Sequence, residues 1–151
     1  MSKKDKTPSS RAYDILIKAE RILDCGKRHI KGDVSLYKGP FESFIHRNPV
    51  PGEWWATHHS IVGAVIKAGK GDGMGMILAL SALLATIIAS GYSPDWTAYR
   101  ARGFPHWCNH LDWSKIQVFS DDRDVTWEQI EELFSVSRTQ LLIERSSIHD
   151  S

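Results

Sequence analysis

The chain has little that would anchor a specialised chemistry. Among its 151 residues only Cys25 and Cys108 are cysteines, too few for a disulfide scaffold and lacking the second pair that a structural zinc site needs. A reducing cytosol is therefore the expected, cytoplasmic setting. Charge of one sign is also lacking: 19 Lys and Arg against 18 Asp and Glu leave a net +1, so no overall field draws the protein toward nucleic acid or an anionic membrane. Internal repeats are missing as well, which excludes solenoids and propellers. The first ten residues are polar and Lys-rich with no apolar run after them, which reads as a disordered basic tail rather than a secretory signal.

The most conspicuous absence is local. Between Gly73 and Pro94 there is no charged residue, and Met74, Met76, Ile77, Leu78, Leu80, Leu83, Leu84, Ile87 and Ile88 follow one another without the alternation of a half-exposed strand. The run is too long for one buried strand, so its apolar residues are expected all round a central helix. A membrane span is the competing reading, since about 20 apolar residues cross a hydrocarbon core. Small residues such as Ala79, Ser81, Ala82 and Ala85 let neighbouring helices approach closely, and amphipathic segments on both sides need something to cover. Enclosure in a globule is the expectation.

Around this run the hydrophobic pattern places three further features. Ala12, Ile15, Leu16, Ala19, Ile22 and Leu23 recur at helical spacing after Ser9 and Ser10, with Gly26 as the stop. Residues 27–52, rich in Gly and Pro, form a long connection with a brief extended segment at Val34, Leu36 and Tyr37 and a helical turn at Phe41, Phe44 and Ile45 after Pro40. Connections of that length are uncommon in small domains and are often functional. Glu53 to Ala68 reads as a second long helix, carrying Trp54, Trp55, His58, Ile61, Val62, Val65 and Ile66 on one face.

The glycines 69, 71, 73 and 75 alternate at the next junction. A phosphate-cradling loop would follow a strand; a helix precedes this one, so a helix-to-helix turn is expected. Beyond the central run, Pro94 should open a short helix to Arg100, and Ile116, Val118 and Phe119 suggest a short strand. Thr126 and Gln129 have capping-box spacing ahead of a last helix whose stripe is Trp127, Ile130, Leu133, Phe134, Leu141 and Leu142. The expectation is one mainly α domain over residues 11–145, with at most a minor β hairpin and a frayed tail at 146–151.

Candidate chemistry is sparse. His106, Cys108 and His110, with His58 from another segment, are the residue types zinc prefers; no paired metal-binding spacing accompanies them, so no metal or cofactor is expected. Cys108 lacks a recognisable catalytic context, and Asp121, Asp122 and Asp124 read as a helix-approach cluster rather than a magnesium site. Trp96, Tyr99, Arg100, Arg102, Phe104, Trp107 and Trp113 place anchor-type aromatics and guanidinium groups together. Such residues dominate protein–protein hot spots and also serve single-strand binders. A non-enzymatic protein that binds a protein partner there is the leading expectation. A metal-dependent hydrolase, a nucleic-acid binder and a one-span membrane protein are the alternatives.

The register Ile15-Leu16, Ala19, Ile22-Leu23-Asp24, Gly26 and Lys31-Gly32, then Ile61, Gly63-Ala64 and Ala68, then Ile116, Phe119-Ser120-Asp121, Thr126, Gln129-Ile130 and Leu133 resembles a family of small uncharacterised proteins from bacteria and their phages. Phe119-Ser120-Asp121 stands where that family carries Trp-Asn-Asp. The resemblance implies a phage or mobile-element accessory protein and no mechanism.

Overall fold

A computed structural model of the chain describes residues 6–50, 52–92 and 113–150, with side chains as far as 143. The architecture is mainly helical around a central apolar helix, with one small two-stranded hairpin, as the sequence leads one to expect.

Helix α1 runs Pro8–Leu23. Its cap is Thr7, whose side chain accepts from the Ser10 amide at 3.1 Å, rather than Ser9 or Ser10. Pro8 takes the first helical turn, where its missing N–H costs nothing. Ala12, Ile15, Leu16, Ala19 and Leu23 form the buried stripe. Asp24, Cys25 and Gly26 then follow one another in left-handed conformations. At Gly26 a side chain would also meet the Trp127 indole, 2.9 Å from an added Cβ.

Strands β1 (Ser35–Leu36) and β2 (His58–His59) pair antiparallel, Ser35 opposite His59 and Leu36 opposite His58. Helix α2 spans Ile61–Ala68 and is capped by Ser60, which accepts from the Gly63 amide at 3.1 Å. The long helix expected from Glu53 is therefore much shorter. Trp54 and Trp55 sit in a turn closed by the Ala56 amide on the Glu53 carbonyl at 3.2 Å, residues 58 and 59 are taken up by the hairpin, and Ser60 supplies a stronger start signal than anything upstream. Trp54, Trp55 and His58 thus lie outside the helix. The hairpin crosses directly over α2 at Gly63, where a Cβ would run into the Val34 carbonyl and come within 2.9 Å of Ser35 Oγ.

Helix α3, Gly73–Ala89, is the chargeless run, and its N-cap is Asp72, which accepts from the Gly75 amide at 3.0 Å. Arg11 on α1 donates to the same carboxylate at 2.8 Å, tying two helix N-termini together. α3 packs on α1, α2 and both later helices. Helix α4, Ser114–Asp121, occupies the place where a strand was expected from Ile116, Val118 and Phe119. Its residues from Ile116 to Asp121 are all buried; Gln117, Ser120 and Asp121 among them are polar side chains turned inward to hydrogen bonds, so polarity does not mark a solvent face from which a helical period could be read.

The last helix, α5, runs Trp127–Asp150. Its capping box forms as the spacing predicts: Gln129 accepts from the Thr126 amide at 2.8 Å and Thr126 Oγ1 accepts from the Gln129 amide at 3.3 Å. Ile130, Leu133, Phe134 and Leu141 join α1 and α3 in a single core. Arg138 on α5 pairs with Glu20 on α1. Thr86 of α3 bonds Ser137 of α5 at 2.9 Å inside the interface.

The expectation of an apolar surface all round α3 needs one correction. Met74, Ile77 and Ile88 are 56%, 42% and 56% exposed, so one stripe of the helix faces outward. Among the described residues no helix is long and apolar enough to cross a membrane. The short helix expected from Pro94 to Arg100 lies outside the described residues.

Candidate functional site

The hairpin has an unusually long connection, residues 37–57, and a root fixed by a buried polar seam. Ser120 on α4 accepts from the Ile61 amide at 3.0 Å, which leaves its hydroxyl proton for His29 Nε2 at 2.9 Å. Ser60 donates to Gln117 Oε1 at 2.9 Å; Gln117 in turn donates to Asp121 Oδ1 at 2.9 Å, and that oxygen also accepts from the Gly32 amide at 2.9 Å. Ser35 and His59 Nδ1 lie 2.8 Å apart. Lys31 reaches the carbonyls of Asp122 and Val125, closing the C-terminal end of α4. All of these bonds except Gln117–Asp121, which lies within α4, cross between elements, so the root of the hairpin is held against both α2 and α4.

Two histidines in this seam are held neutral. Burial, then the nearby Lys31, push His29 down to about 4. Burial, then Lys67, His58 and Arg28, push His59 down to about 4. A neutral His29 can accept the Ser120 proton, and that pairing superficially resembles an activated nucleophile. Ser120, however, is fully buried, so no substrate reaches its oxygen. The seam is structural.

Above this root the loop turns outward. Thr57 bonds back to Leu36 at 2.9 Å and its hydroxyl accepts from the Lys38 amide at 2.8 Å, continuing the hairpin. Tyr37 and Trp55 bring their rings to 6.3 Å, and the Arg47 guanidinium sits 5.3 Å over the Trp55 ring while also pairing with Glu53 at 3.2 Å. Lys67 on α2 donates to the Ala56 carbonyl at 3.2 Å. These contacts form the inner layer of the loop.

The outer layer is apolar. Trp54 is 89% exposed, Phe44 72%, Phe41 62%, Val50 56% and Ile45 37%. A single exposed apolar side chain needs no explanation, but five on one loop do. Phe41 and Phe44 project from a 3-10 turn, Glu42–Phe44. Beside Val50 a groove of about 480 Å³ runs between Gly52 and the α2–α3 turn at Gly69 to Gly73. Charge within residues 37–57 balances, Lys38 and Arg47 against Glu42 and Glu53.

A larger cavity of about 580 Å³ lies at the other end of the bundle, between the C-terminus of α3 and the start of α5. Tyr92 donates there to Asp122 at 2.5 Å, and Asp122 also accepts from the Asp124 amide at 2.8 Å. The acidic cluster read from the sequence thus terminates α4 and leads into α5.

The residues expected to form a site are distributed otherwise. His58 stands on β2, its ring nitrogen 2.8 Å from Thr57 Oγ1. Among the described residues no group of three His, Cys, Asp or Glu could hold a metal ion. His106, Cys108 and His110 lie outside the described residues, as do Trp96, Tyr99, Arg100, Arg102, Phe104 and Trp107. Trp113 is 5% exposed and belongs to the core cluster, so that ring packs inward beneath α4 and is not a surface anchor.

The aromatic face that the structure does display, Phe41, Phe44 and Trp54, falls in and just after the connection that the sequence marks as a place for binding. A helix from Glu53 would put Trp54 and Trp55 on an inward face; the turn at Glu53 to Ala56 places Trp54 outward instead. No family model matches the chain, and comparison with curated proteins and with solved structures finds none similar to it.

Proposed function

We propose that this is a small non-enzymatic interaction protein that docks a partner protein through the outer layer of loop 37–57. The observation that carries the reading is Trp54, 89% exposed beside Phe44 at 72%, on a loop whose inner layer and root are fixed by cross-element bonds. Exposed aromatics on a preorganised support lose little conformational freedom on binding, and such residues supply most of the free energy of protein interfaces. The balanced charge of the loop favours a protein over a polyanion, because nucleic-acid binding draws on an excess of cations. The groove beside Val50 would receive an anchor side chain from the partner. A cytoplasmic phage or mobile-element accessory role is the setting we propose, on the sequence resemblance alone.

The test is capture from host lysate followed by mass spectrometry, comparing the wild-type chain with a Phe44→Ser/Trp54→Ser variant of equal stability. Proteins retained by the first and lost by the second support the loop as the docking surface. An identical set retained by both refutes it. An Arg102→Ala/Trp107→Ala variant, run in parallel, addresses the second aromatic surface expected from the sequence.

A further inference from the structure

Residues 27–60 are attached to the rest of the chain in a different way from the helices. The apolar core is assembled from α1, α2, α3, Trp113, α4, Val125 and α5, and among the described residues none between Asp24 and Ser60 belongs to it or packs against it. Ile30 and Ala56 are buried apolar side chains of the segment, but they lie outside that cluster. What joins the segment to the helices is polar: His29 to Ser120, the Gly32 amide to Asp121, Lys31 to the carbonyls of Asp122 and Val125, and Lys67 to the Ala56 carbonyl. A unit with few buried apolar contacts opens at a lower free energy than the core it rests on. Its strands are two residues long, too short to persist alone, so release from the helices also melts the ladder. The chain enters the segment through three successive left-handed residues, Asp24, Cys25 and Gly26, and leaves it at Ser60, the cap of α2. Both ends are element termini, where hinges are found.

Two imidazoles sit in this polar attachment, and neither has room for a positive charge. His59 is fully buried, its Nδ1 2.8 Å from Ser35 Oγ and its Nε2 without a hydrogen-bond partner among the described residues. His29 faces the Ser120 hydroxyl, which already accepts from the Ile61 amide; a protonated ring would displace the serine proton from its acceptor. The groups that act on the rings add to the cost: Lys31 on His29, and Lys67 from α2, His58 from β2 and Arg28 on His59, each opposing a positive charge. Asp121 of α4 is engaged by Gln117 and Gly32, and α5 presents the Trp127 ring 6.3 Å from His29. Water would accept both protonated rings, and opening of the segment supplies it.

We infer that residues 27–60 form a separately opening unit latched onto the helices by His29 and His59, and that mild acid opens this latch while α1, α3 and α5 stay packed. Opening takes up one proton at each ring. Between about pH 6.5 and about pH 5 each histidine therefore raises the opening equilibrium on the order of tenfold, and the two together on the order of 100-fold. The latch is a property of the root, independent of what loop 37–57 binds, and its opening carries that loop away from the helices.

Hydrogen exchange of the full chain, read by mass spectrometry and corrected for the intrinsic rate, tests this. The root amides of Ile30, Thr57, His59 and Ser60 are bonded within the ladder. At neutral pH their protection should be at least about tenfold below that of Leu80 and Leu83 in α3, and it should fall a further ~100-fold between about pH 6.5 and about pH 5. Far-UV circular dichroism over the same interval should show the helices retained. His29→Gln keeps an acceptor for Ser120 and His59→Asn keeps a polar group at the Nδ1 position for Ser35. Either substitution alone should reduce the fall to about tenfold, and the two together should abolish it. Should the double variant fail to fold, His29→Gln alone decides by the same reduction. Root amides that share one protection factor with α3 at every pH open only with the whole protein and overturn the inference. So does root protection that stays level with pH, or a wild-type response in the substituted chains.

Discussion

Acid should loosen this protein well before its ordinary carboxylates titrate, and the two buried histidines set the interval. His29 and His59 titrate near 4 in the folded chain against 6.5 for a free imidazole. Below 6.5 the unfolded chain therefore binds protons that the folded chain refuses, so stability falls as pH drops from 6.5 toward 4 and the loss levels off below that. A histidine displaced this far is worth at most about 3 kcal/mol. Partial solvent access at His29 reduces its share to about 2 kcal/mol. Together they approach about 5 kcal/mol, a large part of the roughly 5–15 kcal/mol that holds a domain folded. Protonated His59 would sit beside the cationic Lys67 and Arg28, with Nε2 buried and without a hydrogen-bond partner among the described residues. Asp33, raised by burial, opposes the effect weakly; Asp122, lowered first by the Tyr92 hydroxyl, destabilises only below the ordinary carboxylate range. The assay is urea unfolding followed by far-UV circular dichroism between about pH 7.5 and about pH 4.5. His29→Gln, which keeps an acceptor for Ser120, should remove close to half of the pH dependence. Unfolding free energy that stays level over the interval would refute the reasoning.

Three other outcomes follow from single contacts. Gly63→Ala drives a methyl group into the Val34 carbonyl and should cost about 2–3 kcal/mol, read as a lowered Tm. Trp113→Ala removes a ring that is 5% exposed and should cost about 3–5 kcal/mol, while Trp54→Ala, at 89% exposure, should change stability by less than about 0.5 kcal/mol; equal effects at the two would overturn their assignment to core and surface. Thr126→Ala deletes half of a capping box and should cost about 1 kcal/mol in thermal or urea unfolding.

What could be read from the sequence was what depends on local chemistry. α1, α3 and α5 each combine a long apolar period with a cap or stop that acts within a few residues, and the Thr126–Gln129 pair needed nothing beyond its spacing. The errors lie where tertiary structure decides. Ile116, Val118 and Phe119 look like a strand because α4 buries its polar Gln117, Ser120 and Asp121 along with its apolar residues, so polarity no longer separates an inner from an outer face. His58 looks helical only while Trp54 and Trp55 are assumed to need covering. Once the hairpin pairs Leu36 with His58, the chain before Ser60 is committed to extended backbone.

The same dependence on long-range contacts explains why the aromatic face could be located but not oriented. Sequence alone cannot separate Trp54 from Trp55, adjacent and chemically identical. The fold separates them by giving one a partner: Trp55 receives the Arg47 guanidinium and the Tyr37 ring, and the turn closed by the Ala56 amide on the Glu53 carbonyl leaves Trp54 to face water. Tyr37 and Arg47 are in turn placed by the hairpin root, which hangs on Ser60, Gln117 and Ser120 on α2's cap and on α4. The structure satisfies Trp55 with an ion, a ring and a hydrogen-bonded root while leaving Trp54 to water, and the docking role proposed for the loop depends on that difference.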